Sequence, residues 1–100
     1  MCPLAEDLEE FDRLMKEAVV LLVGADLLPP GTATRWDLGS QAEPLLRAAL
    51  AVNGFGELPA AKRADVHGLL GAALEYQGKY DEAVAEGRRA VALAPTARFH

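Results

Sequence analysis

An apolar run followed by a loop with proline and glycine suggests nucleotide binding, because in nucleotide-binding proteins an apolar strand leads into a phosphate-binding loop. The stretch at 19–36 reads VVLLVGADLLPPGTATRW, with Pro-Pro-Gly-Thr at 29–32. A phosphate loop needs Gly-x₄-Gly-Lys-[Ser/Thr], in which backbone N–H groups hold the phosphates and the lysine neutralises their charge. Here Ala33 and Thr34 follow, and the nearest basic residue is Arg35. We therefore interpret the stretch as a helix end and a loop, and expect neither ATP nor GTP to bind.

Metal-ligating and nucleophilic residues are few and scattered. A zinc site needs three or four ligands at regular spacing, whereas Cys2, His67 and His100 lie far apart in the chain. His67 is better explained as a packing residue, and Cys2 has no neighbouring base to activate its thiol. The acidic residues near the N-terminus are typical of a solvated first helical turn. We predict no catalytic residue, no metal and no cofactor.

Charge and composition narrow the class of partner. The net charge is −5, which disfavours nucleic acid and anionic membranes because phosphates repel an acidic surface. The single cysteine allows no internal disulfide, and the longest apolar run is far shorter than a membrane span. A cytoplasmic protein without a membrane or nucleic-acid partner is expected.

The elements that position these residues are predicted to be helices. The chain has 19 Ala and 16 Leu but no Ile, and β-branched residues, which favour strands, are scarce. We predict one small all-α domain over 1–100, with a first helix over about 4–25 within an N-terminal segment 1–26. The apolar run at 19–23 is then the end of that helix and not a strand.

A Pro/Gly loop is predicted over 27–39, because two prolines stop a helix and glycines bracket the segment around Trp36. Trp36 is expected to plug the core, although an exposed tryptophan would be a good anchor for a partner. The second helix is predicted to begin at Ser40, since Ser40 and Glu43 have the spacing of a capping box. Pro44 is then close enough to the helix start to be tolerated.

Two more helices are predicted over 59–77 and 80–94. Gly78 stands where a helix-terminating glycine belongs, and the short connection requires an antiparallel hairpin. On the fourth helix we expect five residues to face inward: Ala83, Val84, Ala90, Val91 and Leu93.

This hairpin resembles a tetratricopeptide repeat (TPR), whose pattern is W-x₂-L-G-x₂-Y…A-x₃-F…P over about 34 residues. The stretch HGLLGAALEYQGKYDEAVAEGRRAVALAP carries the resemblance over about 64–95. The positions that match the pattern or its turn are Leu70, Gly71, Gly78, Tyr80, Ala83, Ala90 and Pro95. Small residues at Gly71 and Ala83 allow a close approach of the helices, with Leu70, Leu74 and Tyr80 filling the space around them. The resemblance implies antiparallel hairpins in a small right-handed solenoid fragment or a bundle.

Three positions depart from the pattern: His67 replaces its Trp, Leu74 its Tyr and Gly87 a large aromatic residue. Gly87 should therefore leave a gap or a contact surface. A partial repeat is predicted over about 40–53, because AEPLLRAALAV resembles the second helix of a longer repeat type found in kinesin light chains and many bacterial proteins. Ala42 and Ala49 precede Ala83 and Ala90 by 41 residues. The TPR-like region is thus assigned to 40–95.

The resemblance also implies a function, which is protein–protein interaction without catalysis. In TPR proteins the first helix of each repeat lines a groove that receives a peptide or a helix. The corresponding residues here are Asp65, Gly68, Ala72, Glu75 and Tyr76. Because they offer no Lys, Arg or Asn to hold an acidic tail, we expect a basic or apolar partner. The alternative is a purely structural bundle, or the terminal piece of a longer TPR protein with no ligand of its own.

Assembly is the last expectation. TPR arrays cover their final hairpin with a capping helix, and the five residues after Pro95 are too few to form one. An uncovered apolar surface is therefore predicted, and a homodimer is slightly favoured over a monomer whose first helix folds back over it. The residues assigned to this surface are Val66, Leu69, Val84, Val91 and Phe99.

Overall fold

The computed structural model describes residues 5–94, which form four α-helices and one short 3₁₀ turn. The helices are α1 (Ala5–Asp26), α2 (Ala33–Leu50), α3 (Ala60–Tyr76) and α4 (Tyr80–Leu93), and the 3₁₀ turn Phe55–Glu57 lies between α2 and α3. These residues contain no strand, so the prediction of an all-α fold is confirmed. Expectations that rest on Cys2, Pro95, Phe99 and His100 lie outside the described residues.

Helix α1 includes the whole apolar run at 19–23, so the interpretation of that run as a helix end is confirmed. The residues that α1 buries recur at helical spacing and are Phe11, Leu14, Ala18, Leu22 and Ala25. Other apolar residues of the run remain accessible: Val20 is 71% exposed and Val23 is 56% exposed.

Helix α2 begins at Ala33, seven residues before the predicted start. The cap is Thr32, whose hydroxyl accepts a hydrogen bond from the Arg35 backbone N–H at 3.3 Å and donates one to the Pro29 carbonyl oxygen at 3.0 Å. Threonine caps helices in the same way as serine, so Thr32 takes the role that we predicted for Ser40. The loop is therefore confined to residues 27–32, and the prediction of a loop over 27–39 is wrong.

The corrected start places Gly39 and Pro44 inside α2. A Cβ atom on Gly39 would lie 2.9 Å from the Ala73 carbonyl oxygen and 2.9 Å from Tyr76 Cβ, so glycine is what lets α2 and α3 approach there. Pro44 lacks the N–H that an interior helical residue donates to the preceding turn. We predicted that Pro44 is tolerated because it lies near the helix start. That reason does not apply, because α2 starts eleven residues before Pro44.

Helices α3 and α4 form the predicted antiparallel hairpin, and α3 ends in a Schellman motif. Gly78 has φ +77°, the Gly78 N–H donates to the Glu75 carbonyl oxygen at 2.9 Å, and the Lys79 N–H donates to the Leu74 carbonyl oxygen at 2.9 Å. Glycine adopts this left-handed conformation without steric penalty. The chain therefore reverses direction within three residues, 77–79.

The four helices pack in chain order, with a smaller contact between α1 and α3. One core joins the two hairpins, and Leu46, Val66, Leu70 and Leu74 are its largest fully buried side chains. Because α3 is the main neighbour of α4, the α3–α4 hairpin keeps one side uncovered by the rest of the described chain.

Candidate partner-binding site

The closest approach of α3 and α4 is at Gly71. A Cβ atom there would lie 3.3 Å from the Ala83 carbonyl oxygen and 3.7 Å from the Gly87 backbone nitrogen. Leu70, Leu74 and Ala90 are buried around this contact, whereas Ala83 is half-buried. The small residues of the TPR pattern therefore lie where the two backbones come together.

Three residues of α4 that we expected to pack inward are exposed. Tyr80 is 65% exposed, Val84 52% and Val91 40%, so the prediction that they fill the core is wrong. Helix α4 has a single packing neighbour along most of its length, and its buried face is correspondingly narrow. That face consists of Glu86 and Ala90, with Ala83 half-buried beside them.

Glu86 is a buried carboxylate that the sequence analysis missed. One oxygen lies 2.9 Å from Nδ1 of His67, and the other pairs with Arg89. The His67 ring also packs edge-on to Phe55, with 6.4 Å between the ring centroids. His67, at the Trp position of the pattern, is therefore a half-buried packing residue. Its ring nitrogen has a polar partner on α4, which is Glu86. The signal in the sequence was weak, because a single Glu on a helix is usually solvated.

A groove with a volume of about 370 Å³ runs between α3 and α4. Small residues form its floor, and a Cβ atom on Gly87 would meet nothing within 4 Å. Val84 and Tyr80 stand beside it, and among the described residues Glu75 is the one charged residue that lines it. The lining residues are Gly68, Gly71, Ala72, Glu75, Tyr80, Ala83, Val84 and Gly87. The groove is therefore an apolar, shallow surface that could accept bulky side chains.

Of the five residues assigned to partner binding, three line this groove: Gly68, Ala72 and Glu75. Tyr76 is half-buried and does not line it; its hydroxyl donates to Asp26 Oδ1 at 3.1 Å. Burial and that hydrogen bond raise the pKa of Tyr76 above its usual value. Asp65 is exposed on α3 and does not line the groove.

The predicted 41-residue offset allows the groove to be compared with the contact between α2 and α3. Under the 41-residue offset, Gly39 and Glu43 of α2 correspond to Tyr80 and Val84 of α4. Gly39 contacts α3 and Glu43 bonds to the turn that follows it, whereas Tyr80 and Val84 line the open groove. Leu46, which is fully buried, corresponds to Gly87. Within residues 5–94, the face of the α3–α4 hairpin beside Tyr80, Val84 and Gly87 is therefore open, whereas the positions on α2 that the predicted offset pairs with them are packed or bonded.

The predicted uncovered apolar surface is only partly right. Val66 is fully buried and Leu69 packs half-buried against the core, so their assignment to this surface is wrong. Helical periodicity could not tell which side of α3 faces the first hairpin. Val84 and Val91 are exposed as that surface requires. Helix α1 packs against α2 and α3 and leaves Val84 and Val91 exposed, so its folding back does not cover the α4 part of this surface.

Glu43 links α2 to the end of the α3–α4 hairpin. Its side chain accepts hydrogen bonds from Gln77 at 2.9 Å, Arg47 at 2.7 Å and Lys79 at 3.2 Å. Burial opposes ionisation, but these donors outweigh it and lower the pKa of Glu43 from 4.5 to about 2. The predicted capping role of Glu43 is therefore replaced by a link between two hairpins.

Metal and membrane sites were also sought in the described part of the chain. Within residues 5–94, no three His, Cys, Asp or Glu side chains come together in a way that could hold a metal ion. None of the helices there is both long and apolar enough to cross a membrane.

The antiparallel α3–α4 hairpin, with Gly71 at the closest approach of its helices, has the form of a single helical repeat. Residues 64–97 match the family model of the tetratricopeptide repeat. The predicted resemblance over about 64–95 is thereby confirmed, and the repeat suggests protein–protein interaction, in a family whose members are typically non-catalytic. No curated protein and no solved structure matches the chain. The partial repeat at 40–53 stays a prediction.

Proposed function

We propose that the chain is a non-catalytic protein-interaction module whose α3–α4 groove receives an apolar helix or peptide segment. The observation that carries the proposal is the correspondence of Leu46 and Gly87. On α2 the leucine is fully buried in the core, whereas on α4 a Cβ atom at the corresponding glycine would meet no described atom within 4 Å. A side chain from another helix can fill it, and the burial of apolar surface then drives binding.

The chemistry of the groove favours a partner that is apolar with basic flanks. Glu75 is exposed beside it, and none of the described Lys or Arg residues lines it, so within residues 5–94 an acidic tail would find no counter-charge. The exposed Asp65 adds a second negative charge on α3. The overall charge of −5 acts in the same direction at long range.

A second copy of the chain supplies one candidate segment. Helix α1 exposes three valines close together in sequence: Val19 is 39% exposed, Val20 71% and Val23 56%. These residues form what we call the α1 ridge. A ridge of branched apolar side chains suits a groove floored by glycine and alanine, because the small residues allow close approach. Self-association through this pair of surfaces is the form of assembly that we favour.

The setting proposed for the module is cytoplasmic and bacterial in type, which rests on composition and on the longer repeat type that residues 40–53 resemble. The second candidate function is a purely structural one, in which the hairpins stack but bind nothing. The open groove argues against that candidate, because in a closed bundle a Cβ atom on Gly87 would be expected to meet another side chain, and it meets no described atom within 4 Å.

The test is to fill the groove with Gly87→Leu and to compare Gly56→Leu. A Cβ atom at either glycine meets nothing within 4 Å, but only Gly87 lines the groove. The immobilised chain is exposed to cytoplasmic extract, and self-association is followed by light scattering. We expect Gly87→Leu to lose capture and self-association while Gly56→Leu keeps both. Equal behaviour of the two variants, or a wild-type chain that neither captures a protein nor self-associates, would contradict the proposal.

A further inference from the structure

The exposed aromatic side chains gather at one end of the stack, away from the floor of the groove. Trp36 is 50% exposed and Tyr80 65% exposed, and together with Tyr76 they line a cleft with a volume of about 520 Å³. The lining residues are Pro30, Gly31, Thr32, Ala33, Arg35, Trp36, Glu75, Tyr76, Gln77, Gly78 and Tyr80. The cleft and the groove share only Glu75 and Tyr80, so the cleft is a second surface.

The cleft exists because the two hairpins differ in length at this end. Under the 41-residue offset, Tyr80 at the start of α4 corresponds to Gly39 in the middle of α2. Residues 33–38 of α2 therefore have no counterpart on α4, and with the loop at 27–32 they extend past the turn at 77–79. Trp36 lies on this extension, and Tyr76 and Tyr80 flank the turn beside it.

The wall of the cleft is held in place by polar contacts within the protein. The Arg35 guanidinium donates to the Leu28 carbonyl oxygen at 2.8 Å and lies 4.3 Å from the centroid of the Tyr76 ring. The Tyr76 hydroxyl is fixed in turn by Asp26. Arg35 is thus occupied by the loop and by Tyr76, and the aromatic wall is formed before any ligand arrives, which lowers the entropic cost of binding.

Two hydrogen-bond donors face this end without a partner. Within the described residues, neither the Trp36 indole N–H nor the Tyr80 hydroxyl makes a hydrogen bond. A ligand that suits them carries acceptors and flat apolar rings. A polyproline II peptide has both, because its carbonyl groups make no internal hydrogen bonds and its proline rings pack on aromatic side chains.

The charge around the cleft selects a basic flank. Glu75 lines the cleft, is exposed, and forms no ion pair with a described residue. Asp81, which follows Tyr80 in the first turn of α4, is also exposed. From the aromatic wall, the unpaired donors and these carboxylates, we infer that the cleft binds a proline-rich peptide in the polyproline II conformation with a basic residue next to Glu75.

The test uses the full chain and a synthetic decapeptide that contains two Pro-x-x-Pro units and one terminal arginine. Two control peptides have the prolines replaced by alanine or the arginine replaced by glutamate. Binding is measured by calorimetry and by the fluorescence of Trp36, the only tryptophan of the chain. We expect saturable binding of the first peptide and at least about tenfold weaker binding of each control. No saturation, or equal affinity for a control peptide, would overturn the inference.

Two variants locate the site. Trp36→Ala removes an aromatic wall and should weaken binding at least about tenfold, as loss of an interfacial tryptophan commonly does. Ala33→Arg adds a bulky cation at an exposed lining position without removing packing, so it should abolish binding even if Trp36→Ala unfolds the protein. Glu9→Gln, at an exposed position of α1 that does not line the cleft, should bind the peptide normally. Wild-type affinity in Ala33→Arg would place the peptide elsewhere and contradict the inference, whatever the outcome at the groove.

Discussion

Three glycines inside helices show how single residues decide the packing of this protein. All three could be replaced by alanine without backbone strain, since none has a positive φ. They differ in what a methyl group would meet: backbone at 2.9 Å for Gly39, backbone at 3.3 Å for Gly71, and nothing within 4 Å for Gly87. Alanine substitution therefore tests three situations: a steric clash with backbone at Gly39, a close contact with backbone at Gly71 and open space at Gly87.

We predict opposite effects of alanine at the two extremes. Gly87→Ala should stabilise the protein by about 0.5–1 kcal/mol, because alanine favours a helix interior and its methyl group has space. Gly39→Ala should destabilise it by about 1–3 kcal/mol, because the Ala73 carbonyl oxygen and Tyr76 must move. The free energies of unfolding in urea, followed by circular dichroism, measure both. Equal shifts of the same sign would show that helix propensity, and not the approach of α2 to α3, governs Gly39.

Individual residues were predictable where local chemistry decides them. Gly78 could be assigned from its position after a helical pattern, because only the chain around it determines the turn. Gly39 could not, since a glycine before a serine suggests a loop until the partner backbone on α3 is known. Trp36 was assigned to the core and is half-exposed for the same reason: the end of α3 that it borders is remote in sequence.

At the scale of elements, Glu43 holds the two hairpins in register. It is on α2, and two of its partners, Gln77 and Lys79, belong to the turn between α3 and α4. Its folded-state pKa of about 2 lies below the ordinary value of 4.5, so ionised Glu43 stabilises the folded state. That stabilisation is complete above about pH 4.5 and is lost as the pH falls towards 2.

We therefore predict that Glu43→Gln flattens the acid limb of the stability profile. The wild-type protein should lose stability between pH 4.5 and pH 2 more steeply than the variant, because only the wild type must protonate a bonded carboxylate. Urea midpoints measured across this range give the comparison, and Glu9→Gln, at an exposed position of α1, is the control that should follow the wild type. A constant offset between Glu43→Gln and the wild type at every pH would speak against this role.

The number and type of the helices could be predicted, because the periodicity of Ala and Leu is a local property. The start of α2 could not. Thr32 and Ser40 are both competent caps, and the choice between them depends on Arg35, which holds the loop by its bond to Leu28 and its contact with Tyr76. The open groove could be predicted only from Gly87. The cleft could not be predicted, because it depends on the unequal lengths of the two hairpins at that end.

At the scale of the whole molecule, the α1 ridge and the α3–α4 groove lie on different hairpins. A contact between the ridge of one copy and the groove of another is heterologous, so each pairing leaves one ridge and one groove free. Such a contact can continue from copy to copy and does not stop at a dimer unless the geometry closes. The homodimer that the sequence suggested is then the first member of a series.

We predict that two blocked variants complement each other. Gly87→Leu keeps the ridge and loses the groove, and Val20→Asp keeps the groove and places a charge on the ridge. Each alone should remain near 10.7 kDa in light scattering, whereas their mixture should give one species of about twice that mass. The wild type should grow with concentration. Growth of either variant alone, or a mixture that remains monomeric, would rule out this mode of assembly.

The six-residue loop at 27–32 joins α1 to α2, and its residues 30–32 line the aromatic cleft. The register of α2 on α3 is set further along, at Gly39 and Glu43, so we expect a change in loop length that keeps Leu28 and Thr32 to leave the stacking of the hairpins unchanged. Related chains could therefore differ in this loop, and so in the shape of the aromatic cleft, and still share the packing of the two hairpins. Ligand recognition would then vary through one segment of the chain, while other segments keep the fold.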